Sequence, residues 1–195
     1  MLKLGQYHRV LDIPVNRLVK STEHLFRMPE DKPVSATATD PSLLLHDDVY
    51  QLLSQLGSLA GLLFEQRSSA DKQNIHVDYD KVSMKPFWPC LNIILEGQGI
   101  MRWFEPIAKP QLSRAGGNYY MAWTDPNNYG NVVDEWSAGK VALVRTDIPH
   151  NAFNYDNSKR FTVSVRWLKR YTWEETLEWF DSVFLPHINH HQLHL

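Results

Sequence analysis

The sequence contains a single cysteine, Cys90, among its 195 residues. One cysteine excludes an internal disulfide framework and a cysteine-based zinc site. The formal net charge is only -2, so no positive surplus is available to hold a phosphate backbone. The sequence has no run near the roughly 20 apolar residues of a membrane helix, and its N-terminal stretch lacks the apolar core of a signal peptide. We expect a cytoplasmic protein with no membrane segment and no strong nucleic-acid signal.

The length and composition fit one domain over residues 1–195. With 43% hydrophobic residues the chain can bury a sizeable core. Three parts differ in pattern: an irregular and helical buttress at 1–70, a β core at 74–168 and a closing helix at 172–186. The oligomeric state stays open.

The N-terminal part predicts a leucine-rich helical layer. PEDKPVSATATDPS, at 29–42, is typical of an irregular surface segment. Asp40 before Pro41 is a helix start, because the carboxylate caps the helix and proline suits its first turn. The leucines that follow have helical spacing, and Gly57 and Gly61 are points where the helix bends or breaks. The helically spaced leucines are Leu45, Leu52, Leu53, Leu56, Leu59, Leu62 and Leu63.

From Asn74 onward short runs rich in β-branched and aromatic residues alternate with turn residues, which favours an all-β sandwich or barrel. The runs are NIHVDYDKV, WPCLNIILEG, GIMRWFEP, NYYMAWT, GKVALVRTDI, HNAFNY and KRFTVSVRWL. The stretch from Lys109 to Gly139 is the least regular. At the other end, Thr172 and Glu175 form a capping box at the start of an amphipathic helix.

One histidine and one aspartate stand two positions apart, and a second histidine follows 74 positions later. Residues i and i+2 of a strand point the same way, so His76 and Asp78 face one interior while Val77 faces the other side. A distant strand can then supply His150 as a third ligand. Two imidazoles and one carboxylate can hold a ferrous ion and leave its opposite face open. An H-x-D tripeptide alone is common by chance, so its strand context carries the hypothesis.

The last strand-like run begins with an arginine. Arg160, Thr162, Ser164 and Arg166 share one face of KRFTVSVRW. A guanidinium stays charged when buried and binds a carboxylate through two hydrogen bonds. We predict a polar cavity with Arg160 as its carboxylate anchor and rank Arg166 second, because it lies further from His150.

The H-x-D pair, the distal histidine and the arginine ten residues later resemble the iron(II)- and 2-oxoglutarate-dependent dioxygenases. The phrases HVDYD, LNIILEG, MRWFEP and TDIPHNAFN are similar to small phage and marine bacterial members. The resemblance covers about residues 74–168 and implies a double-stranded β-helix, or jelly roll.

The resemblance also implies residue roles. His76, Asp78 and His150 would bind Fe(II), Arg160 would bind the distal carboxylate of 2-oxoglutarate, and Asn92 would contact that co-substrate. Thr162 is a further candidate contact, in a position where some families have serine. The reaction would use molecular oxygen to oxidise, most simply to hydroxylate, a small-molecule or peptide substrate, with decarboxylation of 2-oxoglutarate to succinate.

Two other functions fit the sequence. A cupin-like protein would use the same metal ligands without 2-oxoglutarate, and Arg160 distinguishes it from the oxygenase. A non-catalytic jelly-roll module, structural or sugar-binding, predicts that the two histidines and the aspartate do not converge. The sequence leaves the substrate open.

Overall fold

The computed structural model describes residues 5–20, 34–66, 75–80, 85–86, 89–115, 118–153 and 159–190. The strands are β1 His8–Leu11, β2 Val34–Thr39, β3 Leu59–Gln66, β4 Ile75–Asp80, β5 Lys85–Pro86, β6 Cys90–Glu96, β7 Ile100–Glu105, β8 Gln111–Ala115, β9 Asn118–Trp123, β10 Asn131–Trp136, β11 Val141–Val144, β12 His150–Phe153 and β13 Arg160–Trp167. The helices are α1 Val15–Leu18, α2 Pro41–Leu44, α3 Asp47–Ser54, α4 Trp173–Trp179 and α5 Leu185–His190. A 3-10 turn spans Pro126–Asn128, and a π-helical stretch, Phe180–Phe184, joins α4 to α5.

The strands form two antiparallel sheets. The first sheet has the order β1-β11-β6-β13-β3-β2, and the second has the order β10-β7-β12-β4-β9-β8, with β5 beside β4. Eight strands, β3, β4, β6, β7 and β10 to β13, occupy adjacent places as β3-β13-β6-β11 in one sheet and β4-β12-β7-β10 in the other. This arrangement is the jelly-roll topology. The predicted double-stranded β-helix is therefore confirmed.

The outer face of the first sheet carries the largest apolar core. In β13 the alternate residues Val163, Val165 and Trp167 are buried in one cluster. The cluster also contains residues of the helices that precede the barrel strands in the chain and of those that follow them. The cluster's helical members are Leu18, Leu44, Val49, Leu52, Leu53, Trp173, Phe180, Phe184 and Ile188. The N-terminal helical layer and the C-terminal helix thus cover this sheet, as predicted. Among the described residues, no helix is long and apolar enough to cross a membrane.

The leucine-rich helix is shorter than its spacing predicts. The helical part ends at Ser54, and Leu59–Gln66 form strand β3 instead. Gly57 has a φ of 123°, which ends the helix in a conformation that favours glycine. Strand β3 then pairs with β13 along its whole length and with β2 on its other edge. Tertiary pairing overrides the helical spacing here.

Two segments predicted to be irregular contain strands. Val34–Thr39, within the N-terminal surface segment, form the edge strand β2. The stretch from Lys109 to Gly139 contains β8 and β10 in addition to β9, which the run NYYMAWT predicts. Because β2, β8 and β10 are the outermost strands of their sheets, they lack the strong apolar alternation of inner strands.

Both predicted helix starts are confirmed. Asp40 accepts a hydrogen bond from the backbone N–H of Ser42 at the start of α2, with Pro41 in the first turn. Thr172 and Glu175 form the full capping box of α4. The helical segment continues through the π-helical stretch to His190, beyond the predicted end at residue 186.

Replacing Phe180 by alanine tests the outer core. Phe180 is fully buried and meets the Trp167 ring edge-on at 5.9 Å. We expect Phe180→Ala to lower the free energy of unfolding by about 3–5 kcal/mol, because it leaves a cavity under the sheet. The matched control, Leu168→Ala, alters a side chain that is 60% exposed and should cost within about 0.5 kcal/mol. Equal losses in urea unfolding would contradict this account of the core.

Candidate metal centre

Strand β4 points two polar side chains into the space between the sheets. His76 and Asp78 lie on its inner face, while Ile75 and Val77 pack on its outer face in a separate apolar cluster. Alternation along the strand produces this separation. The pattern of the HVD motif therefore has the structural consequence that its spacing predicts.

His150 reaches the same place from another strand. It opens β12, which lies beside β4, and is the direct register partner of His76. The two imidazole rings are 4.6 Å apart between centroids. Two residues separated by 74 positions in the sequence are thus cross-strand neighbours.

The three side chains offer a compact set of donor atoms. One ligand atom from each of His76, Asp78 and His150 lies within 4.8 Å of the others. The His76 Nε2 atom is 3.5 Å from Asp78 Oδ1. Two nitrogen donors and one carboxylate oxygen form the ligand set that suits non-haem Fe(II). The residues present therefore fit such an ion, and the convergence argues against a purely structural jelly roll.

The backbone fixes which nitrogen of His150 is available. Its Nδ1 atom lies 2.8 Å from the carbonyl oxygen of Ile148. A carbonyl can only accept, so Nδ1 carries the proton and Nε2 keeps its lone pair. Burial, followed by the nearby His76, lowers the pKa of His150 to about 4. The ring is therefore neutral near pH 7, the form in which an imidazole binds a metal.

Asp78 is held between a backbone group and a buried arginine. Its N–H donates to the carbonyl of Thr146 at 3.1 Å, and Arg166 Nη2 donates to Oδ2 at 2.6 Å. Burial by itself would raise the pKa of this carboxyl, but the charge of Arg166 and the neighbouring histidines outweigh it and hold the pKa below its usual range. Asp78 is consequently a carboxylate, with Oδ1 on the side of His76.

The polar face of β13 lines the same interior. Arg160, Thr162, Ser164 and Arg166 are all buried, and Arg166 reaches the second sheet through Asp78. Among the residues that the structure describes, Arg160 Nε and Thr162 Oγ1 have no hydrogen-bond partner. Buried groups of this kind are normally paired. A row of unpaired donors on one strand is suited to an anionic ligand.

The guanidinium of Arg160 lies against two residues that the sequence analysis did not indicate, Gln66 and Gly99. Gln66 Oε1 accepts from Arg160 Nη1 at 2.7 Å, and the Gln66 amide donates to the carbonyl of Ala152 at 3.4 Å. A Cβ atom on Gly99 would lie 2.2 Å from Arg160 Nε, so glycine leaves room for the guanidinium. Burial lowers the pKa of Arg160 to about 10, so the side chain remains charged near neutral pH.

The other candidate contact, Asn92, lies on β6 between two residues of the inner apolar cluster, Cys90 and Ile94. It is half-buried, accepts from the Cys90 thiol at 3.6 Å and is the register partner of Ser164 on β13. Asn92 therefore belongs to the polar interior, beside the middle of the β13 row.

Gln66 and Gly99 escaped the sequence analysis for different reasons. Gln66 lies in a segment predicted to be helical, and a helix would not pair with β13 and bring Gln66 beside Arg160. Gly99 stood in the turn EGQG and carried only a turn signal. Reading Leu59–Gln66 as a strand that pairs with β13 would have revealed Gln66 but not Gly99.

No family model and no curated protein matches the chain. A Bacillus subtilis oxalate decarboxylase structure is 10% identical with a TM-score of 0.38, over 76% of this chain and 29% of that one. The E. coli protein ycfD is 14% identical, with a TM-score of 0.37 over 72% and 33%. The Fe(II) complex of HppE is 14% identical, with a TM-score of 0.36 over 72% and 58%.

This chain spans less than a third of the length of the oxalate decarboxylase chains that it matches. Likeness at this level shows nothing about activity.

Replacing Gln66 by methionine tests the hydrogen bond between Gln66 and Arg160. The change keeps the side-chain size but removes the acceptor of a buried guanidinium, so we expect a loss of about 1–3 kcal/mol in the free energy of unfolding. The control Gln111→Met alters an exposed residue of β8 and should leave urea unfolding nearly unchanged. If both variants unfold like the wild type, the hydrogen bond between Gln66 and Arg160 contributes nothing.

Proposed function

We propose that the protein is an Fe(II)- and 2-oxoglutarate-dependent oxygenase. The observation that carries this proposal is the convergence of His76, Asp78 and His150 inside a jelly roll whose interior also holds a buried arginine on β13. The oxidant would be molecular oxygen, and the substrate a small molecule or a peptide. A single cysteine agrees with action in the reducing cytoplasm.

His76, Asp78 and His150 would be the protein ligands of the iron. Two imidazoles and one carboxylate are the donor set typical of non-haem Fe(II) oxygenases. Bound iron would supply the oxidative chemistry, with decarboxylation of 2-oxoglutarate to succinate. The protein's part is to hold the ligands in place, to keep His150 in the tautomer with Nε2 available and to surround the reaction with a buried interior.

Arg160 would bind the distal carboxylate of 2-oxoglutarate. Its Nη1 atom donates to Gln66, while its buried Nε has no hydrogen-bond partner in the described part of the chain. Thr162, two positions along the same face, would add a hydroxyl contact, and Asn92 would meet the co-substrate from β6. Arg166 is a weaker candidate for the anchor because its guanidinium already binds Asp78.

Anaerobic titration with Fe(II) and then 2-oxoglutarate tests the metal and co-substrate together. We expect the chelator-stripped protein to bind one Fe(II) and to develop a weak visible charge-transfer band on adding 2-oxoglutarate. His76→Ala should abolish the band because it removes a ligand. The control His190→Ala removes an exposed histidine of the C-terminal helix and should leave the band intact.

The possible results separate the candidate functions. Metal binding without any response to 2-oxoglutarate would favour a cupin-like protein with the same three ligands. No stoichiometric binding at all would reject a metal centre. A band that survives in His76→Ala but disappears in His190→Ala would assign the iron to the histidine-rich C-terminus.

Gly99→Ala tests the anchor without altering a polar group. The added methyl would lie 2.2 Å from Arg160 Nε and displace the flexible guanidinium, while the backbone of Gly99 lies outside the left-handed region. Loss of a charge-assisted hydrogen bond of about 1.5–3 kcal/mol weakens binding by roughly 10- to 100-fold. We therefore expect 2-oxoglutarate affinity to fall by that factor in titration of the charge-transfer band, with Fe(II) affinity unchanged.

The neighbouring variant Gln98→Ala, at an exposed position, should bind both ligands as the wild type does. Unaltered 2-oxoglutarate binding in Gly99→Ala would show that Arg160 is not the anchor.

A further inference from the structure

Asp78 divides its two carboxylate oxygens between two neighbours. Oδ2 accepts from Arg166 Nη2 at 2.6 Å, while Oδ1 lies 3.5 Å from His76 Nε2. The side chains of Asp78 and Arg166 are only 6% and 9% exposed. One oxygen is thus paired with a fixed cation, and the other is directed at the cluster of three ligands.

Burial makes this division consequential. An ionised carboxylate out of water needs an opposite charge nearby, because its lost hydration costs several kcal/mol. A divalent ion would provide that charge only while it is bound. Arg166 provides it at all times from a different strand, β13, in the sheet that faces β4.

We propose that Arg166 is the resident counter-ion of the metal site, which holds Asp78 in place and aims its Oδ1 at the site whether or not an ion is bound. This inference rests on the proposed metal centre. It makes Arg166 a positioning residue. The ligand set is then preformed, and the ion loads and leaves without refolding of the barrel.

The proposal implies a trade between arginine and metal. The guanidinium stabilises the metal-free protein, but it also repels an incoming divalent cation across a few ångströms of low-dielectric interior. Metal binding should therefore add little stability to the wild type. Without Arg166, a bound ion would replace the arginine as the cation that faces Asp78 among the described residues, so it should bind more tightly and stabilise the fold far more.

Thermal unfolding of Arg166→Met, in chelator and in Mn(II), tests this trade. Mn(II) takes the same kind of octahedral oxygen and nitrogen site and is stable in air. In chelator we expect the midpoint to fall by roughly 6–20 °C relative to the wild type, because the variant removes the arginine partner of a buried carboxylate. Mn(II) should restore most of that loss, with an affinity at least about 100-fold tighter than in the wild type.

Arg160→Met is the matched control. It removes a second buried arginine from the same face of β13, one that binds Gln66 instead of a ligand. We expect its midpoint to fall equally in chelator and in Mn(II). The same parallel fall in Arg166→Met would reduce Arg166 to a packing role and overturn the inference.

The double variant Asp78→Asn/Arg166→Met covers the case in which Arg166→Met does not fold. Removing both charges should recover the fold in chelator, whereas failure to recover it would count against the counter-ion role. The wild-type arm tests the metal centre by itself. If the wild type binds no Mn(II) or Fe(II), the proposed function fails; if it binds and Arg166→Met binds no more tightly, only the present inference fails.

Discussion

The fold depends on burying charge between two sheets. Strand β13 presents two arginines to the interior of the jelly roll, and neither can be left unpaired at low cost. Arg166 is satisfied across the gap by Asp78, and Arg160 within its own sheet by Gln66. The first pairing fixes the position of β13 relative to β4, and with it the place where Asp78 meets the two histidines.

The fold can tolerate a polar interior because most of the apolar burial that stabilises it lies on the outer face of the first sheet. The outer face of the first sheet is sealed by the N-terminal and C-terminal helices, in a cluster that includes Val163, Val165 and Trp167. Between the sheets a smaller cluster, with Trp103 and Trp136, packs against the inner face of β6 and β11. The remaining interior is left for hydrogen-bonding side chains. The helical layer is thus a condition for the site as well as a cover for the sheet.

The predictable features were those that depend on alternation within one strand. The spacing of His76 and Asp78 gave their shared face, and the alternation of β13 gave two faces of opposite character. The capping residues Asp40 and Thr172 gave helix starts because capping is local chemistry. Strand β2 was missed because its residues have no decisive local preference, and β3 was missed because its leucines continue the helical spacing of the segment before it. Leu59–Gln66 become a strand through pairing with β13 and β2.

The two arginines show where sequence reasoning reaches its limit. Alternation places both on one face of β13, but it cannot say which carboxylate each one meets, because that depends on how the sheets stack. The shorter separation from His150 in the sequence favoured Arg160 as the anchor. The structure favours the same choice for another reason, because Arg166 already forms an ion pair with Asp78. An arginine that pairs with a proposed metal ligand is poorly placed to bind a co-substrate as well. The roles that we propose for the two arginines of β13 therefore follow from the position of one carboxylate on the opposing sheet.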